Sequence, residues 1–421
     1  MMDRTRRITV FVFLLFLVGC SSLAPLLSTP TPASVPQATS TPAPSLPTPT
    51  ATLAPRLLRV WLPPRFDPNS NTSSAQLLKQ RFDEFELLHP GLEIEVRIKA
   101  EEGETGLLNA LSITNAAAPA ALPDLIALSH SNMDLAAEMG LLHPIDGLTT
   151  LLQDPDWYAY ARQLALADNT AYGIPFAGDA LVLVYRPAVF REVPSGWRSI
   201  FESGNPLVYP PSDPRALFSI SLYLSMNGTF TDNEGQFHLD QDALTRVLSF
   251  HQTALKMGNV PFSIREFQSD QHALQMFREG TAGAAVIRAS SDLKTGSGAY
   301  LPLFGLNDEP FTLAEGWVWA LAGSDRENEM LAAELASYLV ESEFMSAWTR
   351  EAGYLPTRPT ALNGWGDALK IPMNEVLSSA RVFPPEEILS VAGPILREAV
   401  IRVYNGEQAE AVARSVIENL K

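Results

Sequence analysis

The stretch LLRVWLPPRFDPNSNTSSAQLLKQRFDEFELLHPGLEIEVRI, residues 57–98, decides the fold class. Leu57 to Leu62 is a short apolar run of strand length. The Pro-, Asn- and Ser-rich segment after it is turn chemistry. From about Ser74 to Leu88, Leu78, Phe82 and Phe85 recur at steps of four and three, which predicts a helix with one apolar face. His89, Pro90 and Gly91 stop it, and LEIEVRI then alternates apolar and polar residues as a half-buried strand does. Strand, helix and strand in that order predict a βαβ unit, and so a parallel sheet.

The same grammar continues along the chain. In APAALPDLIALSHSNMDLAAEMGLLHPID (118–146), Leu125 to Leu128 is a buried strand, Ser129 to Asn132 a polar turn, and a helix follows as far as Gly140. TAYGIPFAGDALVLVYRPAVF (170–190) carries a long apolar strand. In VPSGWRSI, Ser195 is the expected cap of a short helix. FREGTAGAAVIRAS (277–290) is a helix end, a glycine turn and a strand, and residues 315–340 are a strand, a loop and a long helix. Two helices broken at Gly406 close the chain. Strands and helices alternate throughout, so the expected class is α/β. The body, roughly Arg56 to Lys421, is long for one domain and comfortable for two.

The N-terminal part obeys different rules. Arg4, Arg6 and Arg7 precede an apolar run from Ile8 to Val18, which is about half of what a membrane-crossing helix needs. A basic region, a short apolar core and small residues at the break make a secretory signal over 1–19. Leu17, Val18, Gly19 and Cys20 resemble the bacterial lipobox, which implies cleavage before Cys20 and a lipid on its sulfur. Cys20 is the sole cysteine, so no disulfide partner competes for it. From Ser21 to Pro55 there are nine prolines, seven threonines and no charged residue. Such a composition cannot bury enough apolar surface to fold, and 20–55 reads as an extended tether. The expected location is therefore the extracytoplasmic face of the cell membrane, with Cys20 as the anchor.

A formal net charge of −17 argues against nucleic acid, because phosphate recognition needs clustered Lys and Arg. The six histidines show no metal-ligand spacing, and there is no nucleophile elbow or phosphate-cradling loop. No cofactor, no metal and no covalent chemistry are called for.

The segments FDEFELLHPGLEIEV, PDLIALSHSNMDLAAEMGLLHPID, AYGIPFAGDALVLVYRPAVF, FREGTAGAAVIRAS, LPTR and LREAVIRVYNGEQAEAVARSVIENL, in that order, resemble the family 1 extracellular solute-binding proteins of ABC importers, the maltose-binding-protein-like group. The match covers about Leu57 to Leu420. It implies a two-lobe periplasmic-binding-protein-like fold with three hinge crossovers, near Phe176–Ala180, Leu301–Phe304 and Gly353–Pro356. The implied lobes are 56–178 with 303–352, and 179–302 with 353–421. The implied function is capture of a small solute, most often a sugar or oligosaccharide, by hinge closure of a monomer, and its delivery to an ABC permease. A sensory or scaffold lipoprotein keeping the same fold is the rival reading. A glycosidase using Asp179 and Asp213 is a remoter one, since nothing fixes their separation.

Loops after the carboxyl ends of strands line the cleft in such folds. They offer Trp61, Arg65 and Phe66 after the first strand, and His130 and Ser131 after the strand at 125–128. Asp179 follows GIPFAG, and YPPSDPR supplies Asp213 and Arg215; both segments match sugar-contacting segments of the family. Tyr354, Glu315, Trp317 and Arg288 complete the set. Carboxylates and guanidiniums suit vicinal hydroxyls, and aromatic faces suit the C–H face of a pyranose. Each has a plainer alternative: Trp61 in the core, His130 as a satisfied loop histidine, Asp179 bonding its own backbone, Asp213 in an Asx turn. Trp317 and Trp319 lie on one strand, where one is expected to face in and the other out. The aromatic residue that follows GAAVI in relatives is absent here, with Arg288, Ala289 and Ser290 instead, and SVAGPILR has no stacking tryptophan. Those departures set maltose and long glucans in doubt.

Overall fold

The structure is a computed structural model and describes residues 56–323 and 325–420. The signal segment, Cys20 and the tether lie outside the described residues. Among the described residues, eleven strands occur in chain order: β1 (Arg56–Leu62), β2 (Leu92–Ile98), β3 (Leu125–Ser129), β4 (Leu166–Ala167), β5 (Thr170–Ala171), β6 (Gly173–Tyr185), β7 (Leu207–Val208), β8 (Ala284–Arg288), β9 (Ala299–Pro302), β10 (Thr312–Leu321) and β11 (Ala380–Val382). β4 and β5 form a small hairpin, and the others join one sheet in the order β2-β1-β3-β10-β6-β8-β7, with β11 on β10 and β9 on β6.

The opening βαβ unit is present: β1 pairs in parallel with β2 and with β3. Its helix, Ser73–Leu88, begins where the Thr72 side chain accepts a hydrogen bond from the Ala75 amide at 3.2 Å. It presents Leu78, Phe82 and Phe85 to the core. Thr72 satisfies one of the amides that a helix start leaves open, and Gly91 turns the chain at φ 90°.

β6 organises the rest. All thirteen of its residues are buried. Gly173 to Ala180 pair antiparallel with β10, whereas Leu181 to Tyr185 pair with β8 and β9. One strand thus belongs to two groups of strands, and a run buried on both faces reads in sequence as continuous apolar residues. At the change-over, Gly178 exchanges two backbone hydrogen bonds with Leu355, at 2.7 and 2.8 Å. The Tyr160 hydroxyl fills the space a side chain at Gly178 would need, so glycine is required there.

Several local expectations change. The polar segment Ser129–Asn132 is a helix start rather than a turn: the helix His130–Glu138 follows directly, with the Ser129 hydroxyl accepting from the Asn132 amide at 3.3 Å. Ser195 does not cap the next short helix. Gly196 stands at the cap of Trp197–Glu202, and Asp308, distant in sequence, accepts from the Trp197 amide at 2.8 Å. Trp317 and Trp319 do not face opposite ways. A step of two along a strand returns to the same face, and both rings join one cluster, Trp319 stacked on Phe176 and Trp317 edge-on to Phe66. The first of the two closing helices runs from Glu386 to Tyr404 and carries Pro394 inside it; the second is Ala409–Asn419. Among the described residues, no helix is long and apolar enough to cross a membrane.

Candidate functional site

A cavity of about 870 Å³ opens where β6 and β10 meet the loops that follow β1, β3 and β8. A groove of about 1070 Å³ between the helices Ser73–Leu88 and Ser342–Ala352 is larger. It lies on the helical outside, away from any strand end. Ligand sites of open α/β sheets form at strand carboxyl ends, and the smaller cavity alone gathers charged groups from many elements.

The floor of the cavity is a cross-strand pair. Asp179 on β6 stands directly opposite Glu315 on β10. Like charges in that position repel. Asp179 is 6% exposed. Its Oδ1 accepts from the Ala180 and Ser290 amides, each at 2.9 Å, and its Oδ2 from the Ser290 hydroxyl. Burial first, and Glu315 second, push its pKa up to about 6.

Two guanidiniums answer Glu315. Arg215 Nη1 lies 3.2 Å from Glu315 Oε2, and Arg288 Nη1 lies 3.7 Å from Oε1. Arg288 Nε is held by Asp270 at 2.8 Å, and Arg215 Nη2 lies 3.6 Å from Glu386. Burial works against the charge of Arg288, but Asp270, Asp179 and Glu315 outweigh it and raise its pKa. The result is a chain of alternating charge from Asp270 to Glu386 with long, loose contacts at its centre.

The opposite wall is tighter. Glu101 accepts from Arg65 Nε at 2.8 Å and pairs with Nη2 at 2.6 Å, while Arg65 Nη1 donates to the Tyr354 hydroxyl at 2.6 Å. Burial pushes Tyr354 up to about 12. His130 Nδ1 lies 3.1 Å from the Leu164 carbonyl, and burial lowers its pKa. Ser131 reaches the Ser129 hydroxyl at 3.3 Å.

Of the residues expected from sequence, the cavity brings together Arg65, His130, Ser131, Asp179, Arg215, Arg288, Glu315, Trp317 and Tyr354. It does not include Trp61, Phe66 or Asp213. Trp61 is 1% exposed and packs in the core. Phe66 is edge-on to Phe176, Trp317 and Tyr354, so it supports lining residues from behind. The Asp213 carboxylate accepts from the Arg215 and Leu217 amides, both at 3.1 Å, and so holds the turn that leads through Ala216 into the helix Leu217–Ser225. Sequence reasoning missed Glu101, Glu102, Asp134, Lys294, Phe383 and Glu386, all lining. Glu101 and Glu102 follow β2 by three and four residues, so the strand-end rule applied to β1 and β3 would have reached them.

No group of three or more His, Cys, Asp or Glu side chains among the described residues is arranged to hold a metal ion.

No curated protein sequence matches the chain. Its fold does match solved structures. The maltose-binding periplasmic protein of Listeria monocytogenes, in complex with maltose, superposes with a TM-score of 0.69 at 15% identity, covering 87% of this chain and 97% of that one. A cyclo/maltodextrin-binding protein complexed with maltotetraose gives 0.68 at 18% identity over 87% and 96%. The sugar-binding protein of Xanthomonas citri gives 0.68 at 18% over 86% and 96%. These are two-lobe periplasmic solute-binding proteins, and that is the fold of this chain. The model of a family described as bacterial extracellular solute-binding protein matches residues 80–371. More than half of the chain is thereby covered, and the protein belongs to the bacterial extracellular solute-binding family, whose members serve solute import and are not enzymes.

Proposed function

We propose that this protein captures a sugar in the cavity at the β6–β10 junction and presents it to an ABC permease. The observation that carries the reading is the charge chain on the cavity floor. Asp179, Glu315, Arg215 and Arg288 converge there from three strands and a loop, and the contacts of Glu315 to the two guanidiniums, at 3.2 and 3.7 Å, are loose enough to leave donors and acceptors for a solute. Paired carboxylates and guanidiniums grip vicinal hydroxyls through directional, charge-assisted bonds. The sugar ligands of the fold's neighbours point the same way.

In this reading, 56–178 with 303–352 and 179–302 with 353–421 are two lobes that close on the solute. The shared strand β6 and the Gly178–Leu355 bridge supply the hinge, since a few strand-end residues can absorb such a rotation. Cys20 carries the lipid, and the Pro/Thr-rich tether of 20–55 lets a monomeric body reach its permease.

Thermal melting of the full-length protein against mono- and oligosaccharides, amino acids and polyamines tests the proposal. A ligand at 100 times its Kd stabilises the native state by about 2.7 kcal/mol. A sugar is expected to raise the melting temperature, and Arg288→Ala to abolish the rise. A shift only with amino acids or polyamines, or none with any saccharide, contradicts it.

A further inference from the structure

Three aromatic rings line the cavity: Trp317, Tyr354 and Phe383. Rings in sugar sites are useful through their faces, which cover the apolar side of a pyranose. Here all three are more than nine-tenths buried, and guanidiniums hold them. The Arg65 Cζ sits 5.3 Å from the centroid of Trp317, and the same side chain donates to the Tyr354 hydroxyl at 2.6 Å. The Arg215 Cζ lies 5.8 Å from the centroid of Phe383. Arg65 is firmly placed, because Glu101 takes two of its nitrogens, at 2.8 and 2.6 Å.

We propose that these arginines occupy the stacking positions of the cleft. The ligand class is then a compact polyhydroxylated solute, a monosaccharide or cyclitol, gripped through its hydroxyls, and Arg65 is the residue that bars linear α-glucans. This rests on the sugar reading above and narrows it. A glucan chain needs ring faces along its length. To reach Trp317 it must displace a cation that already satisfies the ring and break two charge-assisted bonds to Glu101. A compact solute needs no such displacement. It can address the Asp179–Glu315 floor and the remaining N–H edge of Arg288 directly. Cavity volume does not set the limit; the covered faces do.

The test uses the full-length protein and calorimetric titration with maltotriose, a set of hexoses and pentoses, and myo-inositol. Tryptophan quenching by acrylamide is followed in parallel. Wild type is expected to bind at least one monosaccharide or the cyclitol and to reject maltotriose. Arg65→Ala should raise acrylamide quenching and improve maltotriose affinity by about two- to tenfold, the scale of one aromatic stacking contact. Adding Trp317→Leu should remove most of that gain. If Arg65→Ala loses its cooperative melt, Arg65→Met, with an unbranched uncharged stem, replaces it. Wild type binding maltotriose as well as it binds monosaccharides overturns the inference. So does a variant whose Trp317 opens to acrylamide while maltotriose is still rejected. If wild type and variant bind no saccharide at all, the sugar reading itself fails, and this inference falls with it.

Discussion

Two polar clusters in this molecule are built in opposite ways. One surrounds His251, which is fully buried in the helix Gln241–Lys256. Its Nδ1 lies 2.7 Å from the Tyr209 hydroxyl and its Nε2 lies 3.1 Å from the Ser219 hydroxyl. Tyr209 in turn meets the Tyr404 hydroxyl at 2.7 Å. No side-chain polar atom there lacks a partner. The other cluster is the cavity floor, where carboxylates oppose each other, ion pairs stretch to 3.7 Å, and Arg215 Nε has no partner among the described residues. A sealed, satisfied network specifies packing and has nothing left to offer a ligand. A loosely paired one facing a cavity keeps donors and acceptors in reserve. The contrast separates structural polarity from binding polarity without reference to ligand identity.

The largest effect that could break this contrast is expected at His251. His251→Ala leaves a void, strands the Ser219 hydroxyl and takes from Tyr209 one of its two partners, costing about 3–5 kcal/mol of stability. Urea denaturation measures it, and sugar affinity of the folded protein should be unchanged; a parallel loss of affinity would dissolve the distinction. The two clusters should also answer acid with opposite signs. Asp179 has a pKa of about 6 when folded against an ordinary 3.8, so it binds its proton more tightly in the native state. Its ionisation therefore costs stability above pH 6, on the order of 3 kcal/mol, and that cost fades as pH falls from 6 toward 4. Burial pushes His251 down to about 3 from 6.5, so the unfolded chain takes up a proton that the native state refuses. Stability from His251 is lost as pH falls through 6.5. Comparing the pH dependence of urea midpoints for wild type and Asp179→Asn isolates the first term. The variant should lose the gain between pH 6 and 4, and an identical profile would remove the floor's electrostatic account.

A smaller effect sharpens the role of the β6 change-over. Gly178→Ala drives a methyl into the Tyr160 hydroxyl and should cost about 1–3 kcal/mol. Tyr160→Phe removes that buried, unpartnered hydroxyl, so the double variant should recover part of the loss. Additive losses would place the strain elsewhere. The smallest change is Asp213→Ala, which removes the hydrogen bonds opening the helix Leu217–Ser225. It should lower stability by about 1 kcal/mol and leave affinity alone.

Much of the fold was legible because its signals are local. The apolar steps of Leu78, Phe82 and Phe85, the stop at Pro90–Gly91 and the alternation of LEIEVRI each need only neighbouring residues. What was not legible depends on distant partners. Nothing near Gly196 announces that Asp308 caps its helix, and no pattern in GIPFAGDALVLVY says that one strand serves two groups of neighbours. The two tryptophans of β10 were misjudged for a different reason, since the period of a strand already places residues 317 and 319 on one face.

The site divides in the same way. Strand-end position pointed to Arg65 and His130, the resemblance pointed to Asp179 and the crossover at Tyr354, and all four line one cavity, but strand-end position could not tell a side chain aimed at the cavity from one aimed at the core. Hence Phe66, next to Arg65 in the turn after β1, is buried, and Trp61 lies within β1 itself and packs in the core. Asp213 sits where a capping carboxylate and a ligand carboxylate look alike in sequence. Lys294 and Glu386 carry no local signal, because only the folded chain brings them to the same cavity as Glu315.

Hydrogen exchange on the full-length protein, with and without the saccharide that most raises its melting temperature, shows whether the β6–β10 cavity holds the solute. Protection is expected to grow at the cavity segments 129–132, 177–180, 288–291, 315–317 and 352–355, while amides around His251 stay as they were. Protection confined to the groove between the helices Ser73–Leu88 and Ser342–Ala352, or no change at the β6–β10 junction, would contradict it.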